Sequence, residues 1–219
     1  MKKKNVLITA AVRTAVGSLG KSLKNIQSYD MGARVLSEAI IKSKISAKDV
    51  DEVIMGQVLT NAVGQNPARQ ASMKAGISKE KPAYIVNQVC GSGLRSIVSG
   101  FQSIKSDDAK IVIAGGQENM SLAPHSIHLR DGKKLGDTEM TDTMIKDGLW
   151  DAFHGYHMGV TAENVAAKFQ VTREDQDKFA LKSQEKAIKA QKENKFNDEI
   201  INFKIHSKKT ETNFKVDEH

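Results

Sequence analysis

Four short apolar runs, Asn5 to Ala10, Asp51 to Met55, Ala83 to Val86 and Ile111 to Ala114, recur along the first 120 residues, with helical repeats between them. The first repeat, Asp30 to Ser43, puts Val35, Leu36, Ala39 and Ile40 at helical spacing behind Asp30 as N-cap. The second, Pro67 to Ala75, opens with a proline, which suits a first helical turn. The third follows Gly93 and sets Leu94, Ile97, Val98, Phe101 and Ile104 on one face. Strands that alternate with helices need crossover connections, so the sheet must be at least partly parallel, with helices on its faces. The fold class is therefore α/β, and the near-continuous apolar character of the runs fits strands covered on both sides.

The pattern changes at about residue 120. Ser121 to Gly155 shows little periodicity and is punctuated by Pro124, Gly132, Gly136 and Gly148. An excursion of that length is more than a connector and points to function or to an appended subdomain. Helices are predicted over Thr161–Phe169 and from Thr172 to about Asn194, the second with acids in its first turn and lysines in its last, as the helix dipole favours. Glu199 to Ile205 reads as a strand. The terminal run Asn213 to His219 carries no stop signal and no cap, and reads as interrupted.

Composition narrows the function. A single cysteine excludes an internal disulfide framework and any zinc module with two cysteine ligands, and it suits a reducing cytoplasm. The basic cluster Met1–Lys4 precedes an apolar run, Val6 to Val12, too short for a secretory h-region. No stretch reaches the roughly 18 apolar residues of a membrane span, which predicts a soluble protein with no membrane partner. The formal charge is +7, and the excess sits in residues 1–120, which hold 17 basic and 9 acidic side chains. Of the 33 basic residues 27 are lysine, and the six arginines are scattered singly, unlike a nucleic-acid reader. That excess fits attraction of a small anionic molecule better. Neither GxGxxG after the first strand nor GxxxxGK[ST] occurs, so nothing supports a dinucleotide or a nucleoside triphosphate.

Cys90 is the leading candidate for chemistry. It lies between a predicted strand and a predicted helix and is followed by Gly91 and Gly93. Unpaired N–H groups and the positive dipole end at a helix N-terminus favour a thiolate, and adjacent glycines admit a substrate carbonyl to backbone donors. The alternative is a small buried packing residue at a strand end. Gly115-Gly116-Gln117-Glu118-Asn119 offers either a turn beside a ligand or a plain strand-ending turn. Of the histidines His125, His128, His154, His157, His206 and His219, the pair His154 and His157 lacks an acidic partner for a metal, so no metal site is expected.

Read together, these segments resemble the thiolase family. The matching stretches are Arg13 to Gly17, Gly64 to Gln70, Asn87 to Leu94, Ala114 to His125, Asp147 to Phe153, Tyr156 to Asn164 and Ser183 to Ala187. The resemblance implies a core domain over residues 1–120, with a mixed sheet and helices on both faces, and an incomplete, mainly helical loop domain over residues 121–219. It implies that Cys90 takes an acyl group as a thioester, its N–H contributing to an oxyanion hole. His157 and Met158 match positions lining a pantetheine tunnel, with Leu149 as a wall residue. The implied substrates are acetyl-CoA and acetoacetyl-CoA, with no cofactor beyond these coenzyme A thioesters. The implied reaction is condensation of two acetyl-CoA or its thiolytic reverse. Thiolases are nearly twice as long, and their GHP, NEAFA-type and CxGxG motifs are absent here. The expectation is a chain incomplete by itself, cut before it returns to the core, which forms a homo-oligomer or associates with a missing C-terminal half. Two alternatives stay open: a non-catalytic fragment that binds CoA or a partner chain, and thioester hydrolysis with His125, His154 or His157 as base.

Overall fold

The computed structural model describes residues 5–206 and 210–218; the basic cluster Met1–Lys4 and His219 lie outside them. Strands β1 (Glu52–Gly56), β2 (Ala83–Val86) and β3 (Val112–Gly116) form one sheet in the order β2-β1-β3. Both pairings of β1 are parallel, with Gly56 level with Val86 on one side and Gly116 on the other. An antiparallel member of the expected mixed sheet is not among the described strands.

Helices cover both faces of this sheet because β1 alternates. Val53 and Met55 point to one side, where helices α1 (Ser28–Lys42) and α2 (Pro67–Lys74) close a core of Ala33, Leu36, Ile40, Ala68 and Ala71. Gly56 faces the other side, where α3 (Ser92–Lys105) lies. Helix α1 begins two residues before the expected Asp30, which instead sits in its first turn and pairs with Lys74 at 2.5 Å. Asn66 caps α2, its Oδ1 accepting from the Arg69 N–H at 3.1 Å.

Helix α3 is oriented opposite to the simplest amphipathic expectation. It rests on the sheet through the small residues Ser92, Ser96 and Gly100, and a Cβ at Gly100 would stand only 3.0 Å from a Val112 methyl. The apolar stripe faces outward, with Leu94 70% and Phe101 48% exposed. Small residues permit the close approach, so the large ones at Leu94, Ile97 and Phe101 are left largely to the surface.

The predicted first strand does not form. Residues 5–12 adopt no regular structure, and Leu7 and Ile8 are about four-fifths exposed, at 79% and 81%. A strand exists only by pairing, and among the described residues the nearest bridge is Arg13 to Ile200, just past this segment.

The second half contains the expected irregular stretch, with the short pair β4 (His125–Ser126) and β5 (Thr141–Asp142) and a wide π-type turn, Ile145–Leu149. Helices α4 (Met158–Phe169) and α5 (Arg173–Lys192) follow, the latter opened by a Thr172–Asp175 capping box. Neither helix buries a residue fully.

The predicted strand at Glu199–Ile205 starts later, as β6 (Phe203–His206), and pairs antiparallel with β7 (Glu211–Phe214), which the sequence did not signal. Residues near 200–214 also pack back on the first part of the chain, away from the core at the sheet. Phe203 and Phe214 pack with Ala15, Leu23 and Met31 in a second apolar cluster. Arg13 ties this return down, donating to Glu199 at 2.7 Å and to both carboxylate oxygens of Asp217 at 2.7 and 3.0 Å, with its guanidinium over the Phe196 ring.

Candidate active site

Cys90 sits where β2 hands over to α3. The chain leaves β2 at Val86 and turns through Asn87-Gln88-Val89-Cys90 before Gly91 caps α3. Val89 adopts φ 47°, a left-handed conformation uncommon for a β-branched residue. The turn is held by the Val89 N–H donating to Asn87 Oδ1 (2.9 Å), the Gln88 N–H donating to Ser92 Oγ (2.8 Å) and Ser92 Oγ donating to the Val89 carbonyl (2.6 Å). Cys90 is exposed, which removes the reading of it as a buried packing residue. Among the described residues no hydrogen bond uses the Cys90 N–H, so a donor stands free beside the thiol.

One glycine makes room for this turn. A Cβ on Gly56 would lie 2.3 Å from the Ser92 carbonyl carbon, whereas one on Gly116 would meet Gly93 Cα at 3.5 Å, an ordinary contact. Only a residue without Cβ at position 56 lets the start of α3 press on the end of β1.

The Gly115–Asn119 segment is architectural. The Gln117 N–H donates to the Gly56 carbonyl, and its side-chain amide donates to Gln57 Oε1 at 2.9 Å. Glu118 is turned inward and accepts from the Val58 N–H at 2.8 Å and the Leu59 N–H at 3.3 Å; burial pushes its carboxyl above the ordinary value, opposed by these donors. Asn119 donates to the Leu23 and Ile26 carbonyls at 2.9 and 2.6 Å. Leu59 in turn stands under Gly148 in the π-type turn, so this loop supports the start of the second half.

Leu149, His157 and Met158 come together at the base of one hairpin. Trp150 bridges His157 antiparallel, and the Asp151 N–H donates to the Tyr156 carbonyl at 2.8 Å, so Leu149 and Met158 flank that pair. Leu149 is half-buried and ends the π-type turn; His157 and Met158 are exposed. His157 Nδ1 accepts from the Gly159 N–H at 3.0 Å and caps α4. At the hairpin tip the Asp151 carboxylate is held low by the His154 and Phe153 N–H groups and by His154 Nδ1, 3.0 Å away.

No described histidine hydrogen-bonds Cys90. His154 is engaged by Asp151, His157 by the α4 terminus, and His125 lies 3.9 Å from Asp142. His154 and His157 do not share a helix face, since one is in the hairpin and the other is a cap. Among the described residues no group of three His, Cys, Asp or Glu side chains is placed to hold a metal. A cavity of about 310 Å³ is lined by Arg34, Asn202, Phe203 and Lys204, not by the thiol or the hairpin residues. No helix among the described residues is long and apolar enough to cross a membrane.

Sequence reasoning located Cys90 and missed what holds it: Ser92, Val89 and Gly56. The sequence signal was there in the Gly-Ser-Gly run and in the glycine ending β1, but the contact between them belongs to the fold.

A parallel sheet that presents an exposed thiol from a strand–turn–helix junction defines an α/β protein built around one cysteine. The family model described as "Thiolase, N-terminal domain" matches residues 6–219, and the chain belongs to the thiolase family. It is 53% identical over its whole length to a protein named acetyl-CoA acetyltransferase from Rhizobium meliloti, of which it covers 56%. It is 48% identical over 97% of its length to a cytosolic acetyl-CoA acetyltransferase of Rattus norvegicus, covering 54% of it. The crystal structure of the Bacillus anthracis acetyl-CoA acetyltransferase superposes with a TM-score of 0.93 at 36% identity, over 97% of this chain and 54% of that one. The chain thus spans about half the length of the relatives it matches.

Proposed function

We propose that this chain is the nucleophile-bearing part of an acetyl-CoA C-acetyltransferase. Cys90 Sγ attacks the carbonyl carbon of an acyl-CoA, the C–S bond to CoA breaks, and CoA leaves as a thiol once protonated. The acetyl group then rests on Cys90 as a thioester; a second acetyl-CoA gives up an α-proton to a base, its α-carbon bonds to the acetyl carbonyl carbon, and the C–S bond to Cys90 breaks, returning the thiol once protonated and giving acetoacetyl-CoA; thiolysis is the reverse. The observation that carries this reading is the exposed Cys90 with a free N–H at the start of α3, in a chain about half identical throughout to acetyl-CoA acetyltransferases. The free N–H is placed to stabilise the oxyanion of the tetrahedral intermediate.

In this proposal residues 1–120 are the core domain, residues 121–219 belong to the CoA-receiving loop domain, and Leu149, His157 and Met158 line the path of the pantetheine arm. The substrates are coenzyme A thioesters, with no further cofactor, in the reducing cytoplasm that an exposed thiol suits. No described side chain serves Cys90 as base, which supports a chain that needs groups supplied from elsewhere to turn over. The outward apolar stripe of α3 supports association with a C-terminal half or a second copy. The same features leave a second reading, a chain that binds CoA or a partner without catalysis.

The test is mass measurement after incubation with acetyl-CoA, alongside acetoacetyl-CoA thiolysis. Acetylation that disappears in Cys90→Ser, with thiolysis no greater than background for the chain alone, is the expected result. No mass gain, with ready iodoacetamide labelling, would sink acyl transfer by this chain, and thiolysis abolished by Cys90→Ser would overturn its incompleteness.

A further inference from the structure

The turn carrying Cys90 is locked by a side chain to which the proposed chemistry gives no part. Ser92 is only 4% exposed, and its hydroxyl works in both directions: it accepts from the Gln88 N–H at 2.8 Å and donates to the Val89 carbonyl at 2.6 Å. These bonds span the left-handed Val89, a conformation that persists only when its surroundings over-determine it. The other side-chain restraint, Asn87 Oδ1 on the Val89 N–H, is exposed and open to competition from water. The Gly91 N–H also donates to the Gln88 carbonyl at 3.0 Å and the Ser92 N–H to the Val89 carbonyl at 3.1 Å; removing the Ser92 hydroxyl would leave the Gln88 N–H without its partner and the left-handed Val89 held by these backbone bonds alone, loosening the peptide that joins it to Cys90.

We propose that Ser92 is a positioning residue for acyl transfer at Cys90: its buried hydroxyl fixes the Val89 turn and so sets where the Cys90 N–H and Sγ stand at the start of α3. The proposal rests on the reading of Cys90 as nucleophile. Acyl transfer needs thiol and oxyanion donor in register, and a displacement near 1 Å costs about a hundredfold in rate. Alkylation by iodoacetamide develops no oxyanion and needs only an accessible thiol, so the two electrophiles separate position from exposure.

The experiment uses the full chain as wild type, Ser92→Ala and Cys90→Ala, with p-nitrophenyl acetate as the acyl donor and iodoacetamide as the alkylating probe of its single cysteine. The expected result is Cys90-dependent acetylation that slows at least about tenfold in Ser92→Ala, while alkylation stays within about twofold. Equal acetylation rates in wild type and Ser92→Ala overturn the proposal, as does a parallel fall in both reactions. A second measurement needs no variant: in the wild-type chain the Gln88 amide should exchange its hydrogen at least about tenfold more slowly than the Cys90 amide, after correction for intrinsic rates. Equal exchange also overturns the clamp. A wild-type chain that alkylates normally but shows no Cys90-dependent acetylation refutes the nucleophile reading instead, and amide exchange then decides the clamp alone.

Discussion

Gly56→Ala should damage this protein although it removes no atom and adds only one methyl group. The new Cβ would lie 2.3 Å from the Ser92 carbonyl carbon and 2.5 Å from both Gly93 N and Ser92 O. All three are backbone atoms, so no rotamer change relieves the clash. Restoring an ordinary contact of about 3.4 Å requires roughly 1 Å of movement. The strand cannot supply it, because Gly56 is registered against Val86 and Gly116 and its carbonyl accepts from the Gln117 N–H at 3.0 Å. The start of α3 must lift instead, and the Cys90 turn with it. Overpacking of this kind costs about 1–3 kcal/mol, and the backbone contacts place it near 3. For a chain of this size that lowers Tm by about 6–12 °C. Differential scanning calorimetry and urea titration measure the loss, with Gly93→Ala as control, since a Cβ there meets nothing within 4 Å. Gly56→Ala and Gly93→Ala equal in stability to within about 0.5 kcal/mol would refute the reasoning.

Other perturbations probe separate parts of the fold. Asp217→Ala removes the acceptor for Arg13 and for the Val16 N–H, and should cost about 1–3 kcal/mol and speed proteolysis within residues 200–218; unchanged cleavage would contradict the anchoring role. Glu118 has a raised folded-state pKa, chiefly through burial, so its contribution is fully present below the ordinary value near 4.5 and fades as pH rises through the folded value; Glu118→Gln should flatten the decline in urea midpoint as pH rises above 4.5. Asp51 works in the opposite sense, held low chiefly by the Lys110 and Ile111 N–H groups, so its contribution is present above about 3.8 and is lost on acidification; Asp51→Asn should reduce the fall in stability below pH 4. Charging the α3 stripe with Leu94→Lys and Phe101→Lys should reduce self-association and dye binding of the isolated chain in light scattering and fluorescence, and no change would show that the stripe is not what associates.

Much of this protein is written locally. Apolar periodicity predicted α1, α2, α3 and β1 to β3 to within a residue or two, and the acids after Thr172 marked the start of α5. Those signals depend on neighbours in sequence: a cap, a turn residue, a repeat of 2 or 3.6. Cys90 was legible for the same reason, since a strand, a Gly-Ser-Gly run and an apolar helix surround it.

What the sequence alone could not decide is which surface meets which. The run at residues 5–10 has strand character but no described strand beside it, so it stays unpaired and exposed. The α3 stripe is helical, yet Ser92, Ser96 and Gly100 meet the sheet, because close backbone approach selects small residues over large ones. The return of β6 and β7 rests on Arg13 reaching Asp217, two residues some two hundred positions apart. The hold on Cys90 is local through Val89 and Ser92, but the seat of that turn on Gly56 likewise joins residues distant in sequence. Periodicity tells a residue which way it faces; only tertiary contact supplies what it faces.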